Sequence, residues 1–357
     1  MHRDRLQADG YSIFKGLNAL ESFFETFQFE GKQVLVLTDT NTSTHCYHKL
    51  ATFLPKHIHH TIADGEANKY LRTCETVWNA LSEAHFSRQD IVINLGGGMV
   101  CDLGGFSASC YKRGIDFVHI PTSLLAMADA SVGGKTGVNL QGFKNQVGAF
   151  SNPAAVVLDA RFLNTLPSRE LRSGYAEVLK HALIADKQRW EHLSALNGIP
   201  SEWSEIIADA VATKLYFTEN DPKEKGIRKA LNFGHTIGHA LESHFLDHHP
   251  EAHALHGEAV AAGMWCEAWL SKEAGLLNLM EFESISNCLA KIYPKINLSE
   301  PEVPAIANWA KQDKKNAANE IRCVLLNAIG DFVMDHPLSI AQVQAALQQY
   351  RLHYPSI

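Results

Sequence analysis

Two histidines stand four residues apart in LNFGHTIGHALES, at 231–243, a segment with the pattern of a helix. At that spacing His235 and His239 lie on one helical face, where they can bind a metal ion, bind a substrate or simply face water. The segment lacks the glutamate of an HExxH motif, so it does not predict a metalloprotease. Since histidine is often merely exposed or hydrogen-bonded, this pair alone does not predict a metal site.

Two further candidate ligands, His256 and Glu177, favour a metal site. His256 begins another helical stretch, and Glu177 lies on a helical face with Lys180 about one turn further on. Two histidines and a carboxylate form a familiar zinc site that keeps a position open. The spacing leaves open which two of His235, His239 and His256 join Glu177. The hydrophilic stretch between the two helical segments predicts a surface loop that carries His244, His248, His249 and His253.

Two glycine-rich stretches have the composition of anion-binding turns. NLGGGMVCDLGGF, at 94–106, follows a strand-like run and leads into a helical one, so its N–H groups can approach a phosphate. Its spacing differs from GxGxxG, and a tight strand-to-helix turn explains it equally well. DASVGGKTGVN, at 129–139, places glycines on both sides of Lys135 but does not match the P-loop motif. Neither stretch identifies a ligand by itself.

The elements that must position these residues change in character near residue 166. Before it, short apolar runs alternate with helical segments, which predicts a parallel α/β sheet. The strand-like runs are QVLVLTD (33–39), IVINLGGG (91–98), FVHIP (117–121) and AAVVLD (154–159). Long helical patterns follow, for example at 173–186 and 256–275. We therefore predict an α/β domain at 1–166, ending near Pro167, and a mainly α-helical domain at 167–357.

The composition is that of a globular protein. A length of 357 residues is enough for two domains. Neither a signal-peptide pattern nor an apolar run of about 18 residues is present, so we expect no membrane association. The seven cysteines are scattered without a CxxC pair, which is typical of reduced thiols and predicts a cytoplasmic location. A net charge of −7 without a basic stripe argues against nucleic acid as a partner.

Several longer motifs follow one another along the chain. They run from DGEANK at 64 to DKK at 313 and include GGGMVCDLGGF, IPTSLLAMADASVGGKTGVN, GFKNQVGAF, GYAEVLKH, KGIRKALNFGHTIGHALES and LHGEAVAAGM. Taken in this order, they resemble the 3-dehydroquinate synthase family of sugar-phosphate cyclases. The resemblance implies an N-terminal Rossmann-like NAD-binding domain and a mainly α-helical C-terminal domain that binds metal and substrate. It further implies one active site in the cleft between them, and a homodimer.

The activity that this resemblance implies converts 3-deoxy-D-arabino-heptulosonate 7-phosphate to 3-dehydroquinate and phosphate, a step of the shikimate pathway to aromatic amino acids. NAD⁺ takes hydride from C5 of the substrate and thereby acidifies the proton on C6. Phosphate then leaves, the hydride returns, the ring opens, and an intramolecular aldol reaction closes the carbocycle. Zinc, or cobalt on the same ligands, would acidify the alcohol that is oxidised. The implied metal ligands are Glu177, His235 and His256, whereas His239 faces the substrate.

The resemblance also implies roles for further residues. A substrate with a phosphate and a carboxylate requires several cations, and the expected catalytic residues are Asp129, Lys135, Lys144, Asn145, Lys180 and His239. The residues expected on the carboxylate side are Lys214, Arg228, Asn232 and Lys314, with Lys315 as the alternative to Lys314. Those expected to contact NAD are Asp39, Asp64, Gly65, Glu66, Lys69, Gly97, Gly98, Asp102, Thr122, Ser123, Lys135, Lys144, Phe162, Thr165 and Leu166.

Three positions depart from the family pattern. Cys101 stands where glycine is common, Ser123 where a second threonine is usual, and Pro222 where glutamate is frequent. None of these changes removes a metal ligand or a charged substrate contact. Cys101 could narrow the approach of the glycine turn to the pyrophosphate.

Three other functions remain as alternatives. One is a cyclase that makes valiolone- or inosose-type products from sugar phosphates without the carboxylate. Another is a metal-dependent polyol or glycerol-phosphate dehydrogenase, which would release NADH, and the last is a non-catalytic nucleotide-binding regulator. The carboxylate-side residues favour the acid substrate, since all of them are present: Lys214, Arg228, Asn232 and His239.

Overall fold

The structure is a computed structural model that describes residues 5–141, 143–249, 254–311 and 321–355. The chain forms two compact units. The first comprises Met1–Leu171 and Glu202–Leu215, and the second comprises Arg172–Ser201 and Tyr216–Ile357. The expected domain boundary at residue 166 stays a prediction.

The first unit contains a parallel sheet with helices in its connections. Its strands are β1 (Arg5–Ala8), β2 (Tyr11–Lys15), β3 (Val34–Asp39), β4 (Ile58–Ile62), β5 (Ile91–Gly96), β6 (Asp116–Pro121), β7 (Lys135–Leu140), β8 (Phe143–Phe150) and β9 (Ala155–Leu158). Its helices are α1 (Ala19–Thr26), α2 (Thr40–His45), α3 (Tyr47–Ala51), α4 (Leu71–Glu83) and α5 (Gly98–Cys110). Seven strands form one sheet in the order β1-β2-β9-β6-β5-β3-β4, parallel except for the β1–β2 pair.

The four strands that the sequence predicts form the centre of this sheet. β9, β6, β5 and β3 are neighbours in the sheet and run parallel, as expected. All six residues of β3 and of β5 are buried, which explains why these segments read as continuous apolar runs. The α/β prediction is therefore confirmed. The sequence pattern did not predict β1, β2, β4 or the antiparallel hairpin of β7 and β8.

The core of the first unit lies between the sheet and the helices α4 and α5. Leu37 of β3, Val92 of β5, Val77 of α4 and Leu103 of α5 belong to one cluster of almost completely buried side chains. Burying an aliphatic side chain of this size contributes about 1.5–3 kcal/mol relative to leaving it exposed. This packing fixes the strand ends from which the predicted cofactor residues project.

The second unit is mainly helical, as predicted. Helices α6 (Ser168–Ala185) and α8 (Ser204–Asn220) begin in the first unit and continue in the second. The other elements are α7 (Lys187–Ala195), α9 (His235–His248), α10 (His256–Glu273), α11 (Leu279–Ile292), α12 (Glu302–Lys311), the strands β10 (Ile321–Ala328) and β11 (Asp331–Leu338), and α13 (Ile340–His353). The hairpin of β10 and β11 was not expected. Among the described helices, none combines the length and apolarity that a membrane crossing requires.

Helices α9 and α10 pack closely because glycines lie where they meet. A Cβ atom on Gly263 would lie 2.0 Å from the carbonyl oxygen of Gly234, and one on Gly238 would lie 3.0 Å from that of Ala259. No side chain fits at the first position without a backbone shift. The glycines of GHTIGH and of the α10 segment therefore allow the start of α10 to lie beside the first turns of α9.

The prediction of a surface loop with four exposed histidines is wrong in part. Helix α9 continues through this segment to His248, and His244 is only 2% exposed. Its side chain faces the interior because α12 packs against this end of α9. His248 and His249 are exposed, as predicted, whereas His253 lies outside the described residues.

Candidate active-site residues

Three helices of the second unit bring the predicted metal ligands together. Glu177 is fully buried on α6, His235 is the first residue of α9, and His256 is the first residue of α10. Oε1 of Glu177 lies 3.4 Å from Nε2 of His235 and 3.3 Å from Nε2 of His256. One donor atom from each residue lies within 4.8 Å of the other two. Two imidazole nitrogens and one carboxylate oxygen suit a divalent transition metal such as zinc.

Neighbouring groups orient both histidines of this cluster. The Nδ1 atom of His235 lies 3.0 Å from the carbonyl oxygen of Phe233, and Nδ1 of His256 lies 3.4 Å from Oε2 of Glu242. Such contacts at Nδ1 leave Nε2 free to bind a metal, and they are the usual outer contacts of metal-binding histidines. Lys180, buried one turn after Glu177, forms an ion pair with Oε2 of Glu177.

The charges of the cluster are those of a cation site. Burial would raise the pKa of Glu177, but Lys180 and His235 outweigh it and hold that pKa well below its ordinary value. Burial lowers the pKa of His235 to about 4, so its imidazole is neutral at pH 7. Burial also acts to lower the pKa of His256, yet Glu242 and Glu177 raise it to about 10. An ionised carboxylate and a neutral imidazole are the forms that bind a metal, so Glu177 and His235 are already in that form, whereas His256 must release a proton when an ion binds.

A second donor group overlaps the first. His239, Glu242 and His256 also offer donor atoms within 4.8 Å of one another. The ring of His239 lies 5.0 Å from that of His235 and 5.9 Å from that of His256. The structure thus places His239 beside the predicted ligands, and His256 is common to both groups. The assignment of Glu177, His235 and His256 as the ligands, and of His239 to the substrate, stays a prediction.

Predicted cofactor residues of the first unit lie at one edge of its sheet. Asp39 ends β3, Gly97 follows β5, and Thr122 with Ser123 follows β6. These strands are parallel neighbours, so their carboxyl ends share an edge. β4 lies beside β3 on one side and β5 lies beside it on the other, so the strand order reverses at β3. In open α/β sheets, nucleotides bind where the strand order reverses in this way. Asp39 also caps α2, since its Oδ1 accepts a hydrogen bond from the Thr42 N–H at 2.7 Å.

An ion-pair network joins several other predicted residues of this unit. Nζ of the buried Lys69 lies 2.6 Å from Oδ2 of Asp102 and 2.6 Å from Oδ1 of Asn145. Oε1 of Glu66 lies 3.9 Å from the same ammonium group. Burial raises the pKa of Asp102, although Lys69 opposes the change. The network connects Asn145, expected near the reacting atoms, with Glu66, Lys69 and Asp102, expected at the cofactor.

The remaining predicted residues of the first unit lie on α8, on the β7–β8 hairpin and beside two 3₁₀ helices. Lys214 of α8 forms an ion pair with Asp129, with 2.8 Å between Nζ and Oδ1, and also donates to the Asp129 carbonyl oxygen. Lys135 begins β7 and Lys144 lies on β8. The other predicted cofactor residues lie in the turn before the 3₁₀ helix Glu66–Asn68 and around the 3₁₀ helix Ala160–Thr165: Asp64, Gly65, Phe162, Thr165 and Leu166.

The glycine turn accommodates Cys101 and Ser123. Cys101 is buried in α5, with its Sγ 3.8 Å from the Gly96 carbonyl oxygen, and burial raises the pKa of its thiol well above the ordinary value. A Cβ atom on Gly97 would lie 3.4 Å from Oγ of Ser123, and one on Gly98 would lie 3.4 Å from Cβ of Ala130. Both glycines therefore lie against the segment that follows β6.

Two predicted carboxylate-binding residues lie in the 3₁₀ helix Ile227–Asn232 of the second unit. Arg228 is 2% exposed, and its Nη1 donates to the carbonyl oxygen of Pro222 at 2.8 Å. Asn232 donates through Nδ2 to Oε1 of Glu224 at 2.7 Å. The backbone carbonyl of Pro222 therefore helps to orient the Arg228 side chain. Lys314 and its alternative Lys315 lie outside the described residues.

Two residues that were not predicted from the sequence contact the predicted sites. Glu242 contacts Nδ1 of His256, and its spacing of seven from His235 on the same helical face could have indicated it. Asn139 donates through Nδ2 to Oε1 of Glu66 at 2.8 Å and accepts from the Asn145 N–H at 2.9 Å. Its role depends on the β7–β8 hairpin, which the sequence pattern did not reveal.

The chain is similar to known proteins along most of its length. The family described as 3-dehydroquinate synthase N-terminal matches residues 59–173, and the one described as 3-dehydroquinate synthase C-terminal matches residues 174–316. A 3-dehydroquinate synthase of Parabacteroides distasonis is 37% identical over 339 residues, which cover 93% of this chain and 94% of that protein. Another, from Sulfurovum sp., is 41% identical over 291 residues, covering 81% of this chain and 82% of that protein.

A solved structure shares the fold along almost the whole chain. It is the 2-epi-5-epi-valiolone synthase of Streptomyces hygroscopicus subsp. jinggangensis with NAD⁺ and Zn²⁺ bound, at a TM-score of 0.82 and 25% identity. The alignment covers 98% of this chain and 99% of that one. Because two consecutive family matches span residues 59–316 and curated relatives are 37–41% identical over most of the chain, this protein belongs to the 3-dehydroquinate synthase family.

Proposed function

We propose that this enzyme converts 3-deoxy-D-arabino-heptulosonate 7-phosphate to 3-dehydroquinate and phosphate, as a lyase of the shikimate pathway. The observation that carries the proposal is the convergence of Glu177, His235 and His256 on one another, in a chain whose curated relatives are 3-dehydroquinate synthases. A regulator that had only kept the fold would not need this donor set beside Lys180 and His239.

The metal would be zinc, or cobalt on the same ligands, held by Glu177, His235 and His256. A bound ion supplies Lewis acidity toward the substrate hydroxyl groups. Glu242 keeps Nδ1 of His256 occupied and so directs Nε2 toward the ion. His239, beside the ligands, would contact the substrate. The zinc in the solved valiolone synthase supports this choice of metal.

The cofactor would be NAD⁺, which the solved valiolone synthase also binds. Bound NAD⁺ supplies hydride acceptance at C5 of the substrate and return to the same carbon. Asp39 would hold the adenosine ribose, and the N–H groups at Gly97 and Gly98 would face the pyrophosphate at the start of α5. The network of Lys69 with Asp102 and Asn145 would hold the shape of this pocket before the cofactor binds.

The charged ends of the substrate would be bound by different cations. Lys135, Lys144 and Asn145 would surround the reacting carbons and the phosphate. Lys214, Arg228 and one of Lys314 or Lys315 would hold the carboxylate. A guanidinium can bind a carboxylate through two parallel hydrogen bonds, a geometry that an ammonium group does not offer.

A cyclase of carboxylate-free sugar phosphates is the second candidate function. The fold shared with a valiolone synthase favours it, but identity to that protein is 25%, against 37–41% to the 3-dehydroquinate synthases. The presence of Arg228, Asn232 and Lys214 favours the acid substrate. We therefore expect a strong preference for the heptulosonate phosphate over a heptulose phosphate without the carboxylate.

The test is to incubate the purified protein with the heptulosonate phosphate, NAD⁺ and zinc while phosphate and NADH are measured together. The proposed synthase releases phosphate without net NADH, and 3-dehydroquinate appears in equal amount. Net NADH formation would instead identify a dehydrogenase. Faster phosphate release from the carboxylate-free substrate would identify the second candidate. A homodimer and a cytoplasmic location stay predictions, and light scattering after size exclusion tests the former.

A further inference from the structure

A second cluster of metal-binding side chains lies at the far end of α9. His244 and His249 come from the last turn and C-cap of α9, and Glu302 is the first residue of α12. Oε1 of Glu302 lies 3.2 Å from Nε2 of His244 and 2.9 Å from Nε2 of His249. One donor atom from each of the three lies within 4.8 Å of the others.

This cluster is separate from the Glu177 cluster. His244 follows His235 by nine residues on the same helix, which corresponds to about 14 Å along the axis. Neither Glu302 nor His249 belongs to the motifs that identify the family. The two clusters share no donor residue, so each can be removed without touching the ligands of the other.

The cluster is held in place by contacts outside it. Oε2 of Glu302 accepts hydrogen bonds from the N–H of Ser299 at 2.7 Å and from its Oγ at 2.6 Å, which directs Oε1 toward the two imidazoles. The N–H of His249 donates to the carbonyl oxygen of Phe245 at 2.8 Å, and the two rings lie 5.2 Å apart. Oriented ligands of this kind lose little freedom when they bind a metal.

Charge and burial also suit a cation. His244 is buried, whereas Glu302 is partly exposed and His249 is exposed, so an ion can reach the site from solvent. Two imidazole nitrogens with one carboxylate oxygen select zinc, copper or nickel rather than magnesium or calcium.

We propose that His244, His249 and Glu302 form a second, structural site for zinc or a similar divalent transition ion, which links the end of α9 to the start of α12. These segments are more than 50 residues apart in sequence, so the ion acts as a cross-link between them. It does not contact the predicted catalytic residues, and turnover does not depend on it.

The test compares zinc content after the protein is stripped with a chelator, incubated with zinc and freed of excess. The His256→Ala variant provides the background, because it removes the residue common to the two donor groups at the start of α9 and leaves the second site intact. In that background His249→Ala and Glu302→Gln are expected to lose one equivalent of zinc, and zinc should no longer raise the melting temperature. His248→Ala is the matched control, since His248 is exposed and offers no donor atom to the cluster, and the variant should retain the zinc even though this ring stacks on that of His244.

Each outcome decides the proposal. Zinc lost from the His249 and Glu302 variants but kept by the His248 variant supports the site. Equal zinc in all variants overturns it, as does an equal loss on changing His248, which would show diffuse binding by surface histidines. Circular dichroism checks that the variants fold. If His249→Ala does not fold, the zinc content of the conservative Glu302→Gln variant decides the proposal.

Discussion

Gly257 and Ser173 are in such close contact that no side chain fits between α10 and α6 at this point. The Gly257 N–H donates to Oγ of Ser173 at 3.0 Å, and a Cβ atom on Gly257 would lie 1.8 Å from the Ser173 carbonyl oxygen. Gly257 directly follows His256, and Ser173 lies four residues before Glu177. The contact therefore sets the distance between two predicted metal ligands.

Gly257→Ala should disrupt both stability and metal binding. The methyl group would meet backbone atoms, which cannot rotate away, so we expect a loss of about 3 kcal/mol or more in the free energy of unfolding. Ser173→Ala removes only the hydrogen bond and should cost about 1 kcal/mol. Denaturant unfolding and zinc content measure both effects. Equal stability of the two variants would show that α10 can shift freely.

The metal-ligand assignment predicts a graded series of affinities. Alanine at Glu177, His235 or His256 should remove most of the bound metal, whereas His239→Ala should keep the metal and impair turnover. Glu242→Gln should weaken binding about 10- to 100-fold, the usual effect of losing an outer contact to a metal-binding histidine. Zinc affinity measured by competition with a chelator distinguishes these cases.

The overlapping group of His239, Glu242 and His256 predicts the opposite order of zinc affinities. If His239, Glu242 and His256 were the ligands, Glu242→Gln and His239→Ala would abolish binding and Glu177→Gln would be the milder change. Because the proposed second site retains its own zinc, the comparison is best made in the His249→Ala background.

Arg228→Lys should weaken binding of the acid substrate. Losing a charge-assisted contact costs about 1.5–3 kcal/mol, so KM should rise roughly tenfold or more, with a smaller change in kcat. Lys229→Ala is the control, since this neighbouring cation pairs with Asp335 at 2.7 Å instead. An unchanged KM for Arg228→Lys would refute the carboxylate assignment and favour the carboxylate-free cyclase.

His119 should make the protein sensitive to acid. Burial lowers its pKa from 6.5 to about 3 in the folded state. Between these values the unfolded chain binds a proton that the folded state does not, so stability falls as pH decreases below 6.5, by about 1.4 kcal/mol per pH unit. In metal-free protein, His119→Gln should lose less stability than wild type between pH 7 and pH 4. If denaturant titrations show the same loss of unfolding free energy for the variant and the wild type, His119 does not cause the acid sensitivity.

NAD⁺ should act catalytically and be regenerated in each turnover. The oxidation at C5 serves only to acidify the neighbouring proton, and the same carbon is reduced afterwards. A substoichiometric amount of NAD⁺, added to cofactor-free enzyme with excess substrate, should therefore release many equivalents of phosphate without lasting NADH absorbance. Phosphate release that stops at one equivalent per NAD⁺ would indicate an ordinary dehydrogenase.

The sequence by itself determined the elements and the residue types. The central strands β3, β5, β6 and β9 were predicted because strands buried on both faces read as short continuous apolar runs. The long helices α6 and α10 were recognisable from local patterns as well, and the ordered motifs indicated the family that the comparisons show. The β7–β8 hairpin was not predicted because polar residues and a glycine interrupt both of its strands, so neither reads as a continuous apolar run.

Only the tertiary structure decided which of these side chains meet. Glu177 and His235 are 58 residues apart, and nothing local to either segment encodes their 3.4 Å contact. That contact depends on helix packing, which Gly238, Gly257 and Gly263 permit by letting backbones approach. The same holds for Glu242 beside His256 and for the burial of His244, which α12 produces by packing against α9. Sequence patterns record the surroundings of one element at a time, whereas a site is formed by the surfaces of several.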